Sequence, residues 1–435
     1  MRPGIDLAVC AGWRRSIAVG QARVGIVPRW NAATLLNDTA AAIWDLLVET
    51  QDPPMVAARY ARAHPDRGHV AAGDVAACIA AWDRQGLFCP PEPSSEQRRL
   101  AEIADHLALP TGSVSFRRRF LVAGRPVCLD VENAALGRVV EDLLVDFPGA
   151  DADAGADTQA DTHADTHADK AQPTPVCHFR MTGPRGGWVL WKDGRPLRLA
   201  DSLTAARGQI VAELVRLAGG AAGWLATIHG AALSGPDGAV FLTGASGAGK
   251  STLSAGLTAR GWRLMAEDIA AFDTEMAITP LPFALSIKAG AVAALLREYP
   301  GLATARVHPL GPRRIRYQSL VASGRAMVPE RPRLILDVCF RRDLGDAPAD
   351  LTPLTPVETL GLFMNEESHV DFTRADADGF FDFVAHTPAF RLRYGQIDAA
   401  AQAIRSQLVG RPRDTPRSPA RGAGPAGWSG RAGNM

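Results

Sequence analysis

The sequence predicts an α/β protein in which a small unit of strands and helices precedes a large phosphate-binding domain. Three observations predict it. Gly244-Ala245-Ser246-Gly247-Ala248-Gly249-Lys250-Ser251-Thr252 satisfies the pattern G-x-x-x-x-G-K-[ST] in full. It lies between an apolar run, Ala239 to Thr243, and a helical pattern, Lys250 to Arg260, that stops at Gly261. A second apolar run, Trp262 to Ala266, ends on Glu267 and Asp268, two acids at the carboxyl end of a strand, where ligands sit in α/β sheets. The first 92 residues carry a hairpin pattern and then three helix patterns, ahead of the proline cluster Pro90-Pro91-Glu92-Pro93.

Composition narrows the classes of function. The chain has 435 residues, 47% hydrophobic and 21% charged, as in soluble globular proteins. Its net charge of +1 argues against a nucleic-acid partner, which calls for a basic excess. Only four residues are lysine (Lys170, Lys192, Lys250 and Lys288), and one of them falls in the glycine-rich loop. The six cysteines are scattered without a paired spacing, which points to thiols in a reducing compartment. No apolar run is long enough to span a bilayer, and Asp6 with Arg14-Arg15 makes a poor signal peptide. A cytoplasmic protein with no membrane partner is expected.

The elements follow in order. Ile17 to Pro28 alternates as in short strands or a hairpin, and Asn37-Asp38-Thr39 is a helix N-cap signal before Ala40 to Leu47. Pro53-Pro54 opens a second helix. A third runs from about Asp74 to Gln85, with Val75, Ile79 and Trp82 as its apolar stripe and Gly86 as its C-terminal cap. This is a winged-helix-like module. The segment Ala33-Thr34-Leu35-Leu36-Asn37-Asp38-Thr39-Ala40-Ala41-Ala42-Ile43-Trp44, with the later Gly86-Leu87-Phe88, resembles PqqD-like domains. That resemblance implies a recognition domain, residues 1–92, which holds the leader of a ribosomally made precursor peptide as an added strand and works beside other peptide-modifying enzymes. A DNA-binding or dimerising helix-turn-helix is the alternative. Residues 93–410 form the larger domain, with strands at Ser115 to Leu121, Pro126 to Val131 and Trp188 to Trp191. Two stretches are expected to be disordered: 151–170, built on an Ala-Asp-Thr-His repeat, and the Arg/Pro/Gly-rich tail 411–435.

The glycine-rich loop sets the chemistry. Gly244, Gly247 and Gly249 let backbone N–H groups converge on phosphate oxygens, and the helix that follows presents further N–H groups and its dipole. Lys250 can reach the β- and γ-phosphates, and the Ser251 hydroxyl can ligate Mg²⁺. Glu267 and Asp268 can hold the metal or accept a proton from an attacking hydroxyl. His229, in the small-residue run Thr227 to Leu233, reads on its own more readily as a core histidine.

Together, His229-Gly230, the loop 244–252 and Arg263-Leu264-Met265-Ala266-Glu267-Asp268 resemble the catalytic half of HPr kinase/phosphorylase. The resemblance implies a PEP carboxykinase-like nucleotide-binding fold, ATP and Mg²⁺ as cofactors, and a tendency to homo-oligomerise. It implies that Lys250 and Ser251 hold phosphates and metal, that Glu267 sits near His229 and polarises the acceptor hydroxyl, and that Asp268 helps with metal. Glu267 stands where the family has Asp. Thr279 to Lys288 resembles a further segment of these relatives and makes Lys288 a candidate phosphate contact. Phe390 to Ala400 is similar to their last strand and helix.

Other groups carry weaker signals. His163 and His167 fall at helical ligand spacing inside the repeat tract and read as part of a solvated insertion. Arg313-Arg314-Ile315-Arg316 could neutralise phosphate or an acidic peptide, and reads more readily as a solvated face. Glu366, Glu367 and His369 could assist the site, but no motif fixes where they fall. The expected function is an ATP-dependent kinase acting on a Ser or Thr hydroxyl of a precursor peptide. The alternatives are a carrier-protein kinase of the HPr type and a nucleotide-gated peptide chaperone without catalysis.

Overall fold

The computed structural model describes residues 5–106, 112–150, 177–183, 187–320, 324–364 and 368–409. The expected disordered stretches 151–170 and 411–435, with His163, His167, Glu366 and Glu367, lie outside the described residues. What is described is a mixed α/β protein with five sheets.

The N-terminal unit is a three-stranded antiparallel sheet, β1 (Arg14–Val19), β2 (Ala22–Val27) and β3 (Ala32–Leu36), packed on α1 (Asp38–Thr50), α2 (Pro53–Ala63) and α3 (Ala71–Arg84). Its local signals act as the sequence suggests. The Asn37 side chain accepts a hydrogen bond from the Ala40 N–H at 2.8 Å and caps α1. Gly86 takes a φ of +73°, and Leu87 N–H returns to Trp82 O at 3.1 Å, a glycine-closed helix end. Gly25 is the seat of Trp44: a Cβ there would lie 2.6 Å from the indole. Trp44 also stacks on Trp13 at 4.2 Å and meets the edge of Trp82 at 5.0 Å.

After the exposed Pro90–Ser94 stretch comes α4 (Ser95–His106), which runs along the far edge of a five-stranded sheet. That sheet consists of β4 (Phe116–Val122), β5 (Arg125–Val131), β6 (Cys177–Thr182), β7 (Trp188–Lys192) and β8 (Arg195–Ala200), in that order. Between β5 and β6 the chain forms α5 (Ala134–Leu143), and after β8 it forms α6 (Leu203–Ala218). The two helices share one apolar core with the sheet, through Leu136, Val140, Ile210 and Leu214 among others.

The remaining strands are β9 (Ala226–His229), β10 (Ala231–Gly235), β11 (Gly238–Thr243), β12 (Arg263–Ala266), β13 (Ile269–Phe272), β14 (Leu285–Lys288), β15 (His308–Leu310), β16 (Arg313–Gln318), β17 (Pro332–Phe340), β18 (Asp350–Pro353), β19 (His369–Val370) and β20 (Ala389–Tyr394). Helices α7 (Lys250–Thr258), α8 (Ala289–Leu295), α9 (Pro356–Phe363), α10 (Asp378–His386) and α11 (Ile397–Leu408) pack around them. The central sheet has the order β12-β10-β11-β17-β20-β18. Strands β11, β17 and β20 are mutually parallel. Strand β10 is antiparallel to both β11 and β12, so β12 runs in the same direction as β11. The carboxyl ends of β11 and β12 and the start of β10 therefore share one edge, and this edge carries the glycine-rich loop, the acid pair and Gly230.

The N-terminal unit is not a bead on a string. Val19, Val24 and Ile26 of its sheet belong to the same core cluster as Phe272, Phe363, Phe380 and Phe381 of the large domain. Asn31, at φ +52°, clips the join: its amide donates to Val370 O at 3.0 Å and its Oδ1 accepts from Phe372 N–H at 2.6 Å.

Candidate active site

The loop 244–249 joins β11 to α7, as the motif requires. Gly244 and Gly249 have φ values of +127° and +104°, in the region that favours glycine. Space demands glycine at both positions as well. A Cβ on Gly244 would lie 2.9 Å from Val338 O, and one on Gly249 would lie 2.7 Å from the Tyr394 hydroxyl. The Lys250 ammonium donates to Gly244 O at 2.6 Å and to Ala245 O at 3.3 Å, so it is folded over its own loop. Thr252 follows on the first turn of α7.

Two chain crossings bring the acids and the histidine to this loop. The chain passes from β9 to β10 at Gly230 and from β12 to β13 at Glu267-Asp268. The crossings are tied together by Gly230 N–H donating to Asp268 O at 3.0 Å. Gly230 has no room for a side chain: a Cβ would fall 2.5 Å from both Leu242 O and the Phe241 ring. This explains the glycine of the His-Gly pair. Asp268 takes a φ of +71°, a conformation that costs an L-residue about 1 kcal/mol or more and marks a position held by its surroundings.

The two acids face different ways. Glu267 is buried, 3% exposed, and accepts from the Ser251 hydroxyl at 3.1 Å, while among the described residues its second oxygen, Oε2, meets no hydrogen-bond partner. Burial, and then the neighbouring Asp268 charge, push its pKa up to about 7, against smaller opposing effects of Ser251 and Arg207. Asp268 is 36% exposed, accepts from Arg207 Nη1 at 2.7 Å and lies 3.8 Å from His229 Nδ1. Burial works against its charge, but Arg207, with His229 and Lys250 behind it, outweighs burial and holds the pKa below the ordinary value. Of the two acids, it is Asp268 whose carboxylate comes within ion-pair distance of the His229 ring. His229 is further fixed by its backbone N–H, which donates to Ser368 Oγ at 3.0 Å.

Lys288, at the end of β14, also comes near. Burial and then the Arg313 charge lower its pKa, and Asp268 and Glu267 partly restore it. His369 lies exposed on β19, paired with Thr227 of β9.

Three participants escape the sequence reading. Arg207 comes from the second turn of α6, 61 residues before Asp268, with no motif to mark it. Arg313, read from sequence as part of a solvated face, donates to Ser246 Oγ of the glycine-rich loop at 2.8 Å. Asp337 interrupts the apolar run of β17 between Leu336 and Val338, directly beside Thr243 of β11, and accepts from Arg391 at 2.8 Å. An acid inside an otherwise apolar strand is a signal visible in the sequence.

A second grouping lies on the outer sheet, where Cys128, Asp130 and His178 place ligand atoms within 4.8 Å of one another. Arg117 already occupies both Asp130 oxygens, at 2.6 and 2.8 Å, which makes this an ion-paired cluster.

Compared with known proteins, the chain matches no protein-family model and no curated protein sequence.

Proposed function

We propose that the chain is an ATP-dependent kinase of the HPr-kinase-related type, which phosphorylates a Ser or Thr hydroxyl of a ribosomally made precursor peptide whose leader rests on the PqqD-like unit. One observation carries this above all: the hydroxyl of the loop residue Ser251 meets Glu267 at 3.1 Å, with Asp268 and His229 beside them. A glycine-rich loop alone binds phosphate. A loop joined to an acid pair and a histidine also has groups to hold a metal and to take a proton.

The donor set suits Mg²⁺. Ser251 Oγ and the Glu267 carboxylate are hard oxygen ligands, and the buried Glu267 Oε2, without a hydrogen-bond partner among the described residues, is an acceptor that a cation would satisfy. Ser251 and Glu267 would hold the ion, with Asp268 adjacent, and when bound it neutralises charge on the β- and γ-phosphate oxygens.

The rest of the chemistry belongs to the chain. Backbone N–H groups of 244–249 and the start of α7 cradle the phosphates, and Lys250 moves from its own loop carbonyls to phosphate oxygens. Asp268 is ionised and partly exposed, so it can accept the proton of the acceptor hydroxyl. Arg207 and His229 fix its orientation. The acceptor oxygen forms a bond to the γ-phosphorus, the bond from that phosphorus to the β–γ bridging oxygen breaks, and ADP leaves with its electron pair. Positioning and charge neutralisation supply most of the acceleration in such transfers.

A peptide ligand is supported by the edge of the N-terminal sheet. Strand β3 pairs only with β2 among the described residues, whereas the opposite edge strand, β1, lies against α10. An extended segment can therefore add to β3, where Leu35 stands 56% exposed. Holding the leader raises the local concentration of the acceptor at the loop. The test incubates purified protein with [γ-³²P]ATP, Mg²⁺ and either the precursor peptide encoded beside it or HPr. Label on the peptide is expected. Label on HPr alone would overturn the peptide assignment in favour of a carrier-protein kinase, and nucleotide-dependent peptide binding without label would make the chain a chaperone.

A further inference from the structure

The small sheet β14-β16-β15 brings a row of groups to the loop that the proposed chemistry has not used. In this antiparallel sheet Lys288 lies directly across from Ile315, and Ser286 across from Tyr317. Side chains alternate along a strand, so Arg313, Ile315 and Tyr317 share one face with Ser286 and Lys288. That face looks onto the site. Arg313 donates to Ser246 of the loop at 2.8 Å, and the buried Tyr317 hydroxyl sits beside Arg207, the partner of Asp268. The sheet is also firmly placed. His308 of β15 bonds to Asp142 at the end of α5 at 2.7 Å, and buried Asp146 holds Arg325 and Leu320 N–H at 2.6 and 2.9 Å.

The arrangement has a charge logic. Arg313 and Lys288 are two cations on one face beside the loop. Among the described residues neither meets a carboxylate within ion-pair distance, and the hydrogen-bond partner of Arg313 is a neutral hydroxyl. Two neighbouring cations repel unless an anion lies between them, and a guanidinium bonds a phosphate more strongly than it bonds a hydroxyl. The anion that fits is the outermost phosphate of a nucleotide seated on the loop.

Resting on the kinase reading above, we propose that Arg313, supported by Lys288, is the group that binds the terminal phosphate, so that the preference for a nucleoside triphosphate over a diphosphate comes from β16 and not from the loop. Arg313 exchanges Ser246 Oγ for oxygens of the γ-phosphate and lends its charge to that group during transfer.

The experiment compares equilibrium binding of ADP and of the non-hydrolysable β,γ-imido analogue of ATP, with Mg²⁺, to the full chain. The variants are Arg313→Gln and Arg314→Gln; Arg314 is exposed, one residue on, and points to the opposite face. For Arg313→Gln the triphosphate analogue should weaken about 10- to 100-fold while ADP changes no more than about twofold, the effect of one charged hydrogen-bond partner. Arg314→Gln should bind both as wild type does, which removes net charge as the cause. Should the glutamine variant lose its cooperative thermal transition, Arg313→Lys takes its place and should keep part of the triphosphate preference. An unchanged preference in the Arg313 variant, or an equal loss in the Arg314 variant, overturns the inference while nucleotide binding to the loop stands. A wild-type chain that binds neither nucleotide nor inorganic tripolyphosphate overturns the kinase reading itself.

Discussion

Glu267→Gln tests the electrostatics of the site without any substrate. In the folded protein the Glu267 carboxyl has its pKa pushed up to about 7, against 4.5 for an ordinary glutamate. An acid with a raised folded value is harder to ionise in the folded chain than in the unfolded one. The folded state is therefore penalised progressively as pH rises from about 4.5 to about 7, and the whole penalty remains above that. A shift of about 2.5 units corresponds to about 3 kcal/mol at full extent. At about pH 5.5 the same linkage gives only about 1 kcal/mol, because the unfolded glutamate is ionised but the folded one is not. Glutamine keeps the shape and cannot ionise. Urea unfolding of the metal-free protein in chelator should show Glu267→Gln gaining on wild type by about 2 kcal/mol between about pH 5.5 and about pH 8. Any fixed cost of the amide shifts the whole difference without altering its slope. A stability difference that stays flat over this range, or falls with rising pH, would refute the burial argument.

Other consequences are more local. Gly230→Ala places a Cβ 2.5 Å from Leu242 O and the Phe241 ring, atoms that cannot step aside. It should cost about 1–3 kcal/mol in urea unfolding and displace His229 from Asp268, so that transfer falls even where folding survives. Asn31→Ala removes two hydrogen bonds between the N-terminal unit and the 370–372 segment and puts alanine at φ +52°. A loss of about 2–4 kcal/mol is expected, with the N-terminal unit melting earlier by tryptophan fluorescence. Lys250→Ala should abolish phosphate transfer and leave leader binding, measured by fluorescence anisotropy, within about twofold; loss of both would mean that the shared core couples the two halves.

Much of the local structure was legible in the sequence, because the signals that define it are short-range. The Asn37 cap, the Gly86 helix end, the stripe Val75-Ile79-Trp82 and the strand–loop–helix around Lys250 all depend on residues within a turn or two of one another. The acid pair was legible for the same reason. What the spacing could not show is direction. Whether Glu267 or Asp268 turns to Ser251 depends on the left-handed backbone at Asp268 and on the Gly230–Asp268 hydrogen bond, both products of two chain crossings 37 residues apart. Arg207 and Arg313 were hidden because their partners lie 61 and 67 residues away, and a surface-like run such as Arg313-Arg314-Ile315-Arg316 looks the same whether or not a loop faces it. The shared core of Val19 and Ile26 with Phe363 and Phe380 was equally invisible, since alternation marks a buried face but not what buries it.

The proposed kinase joins two acts in one chain: phosphate transfer by the glycine-rich loop and the acid pair, and retention of the peptide that receives it. Intact-mass spectrometry of the precursor peptide after incubation with ATP, Mg²⁺ and either wild type or Asp268→Asn tests it most directly. Phosphate is expected on a Ser or Thr of the peptide with wild type, and a rate lower by about 100-fold or more with Asp268→Asn. An unmodified peptide beside a wild-type chain that binds both ATP and the leader would contradict it.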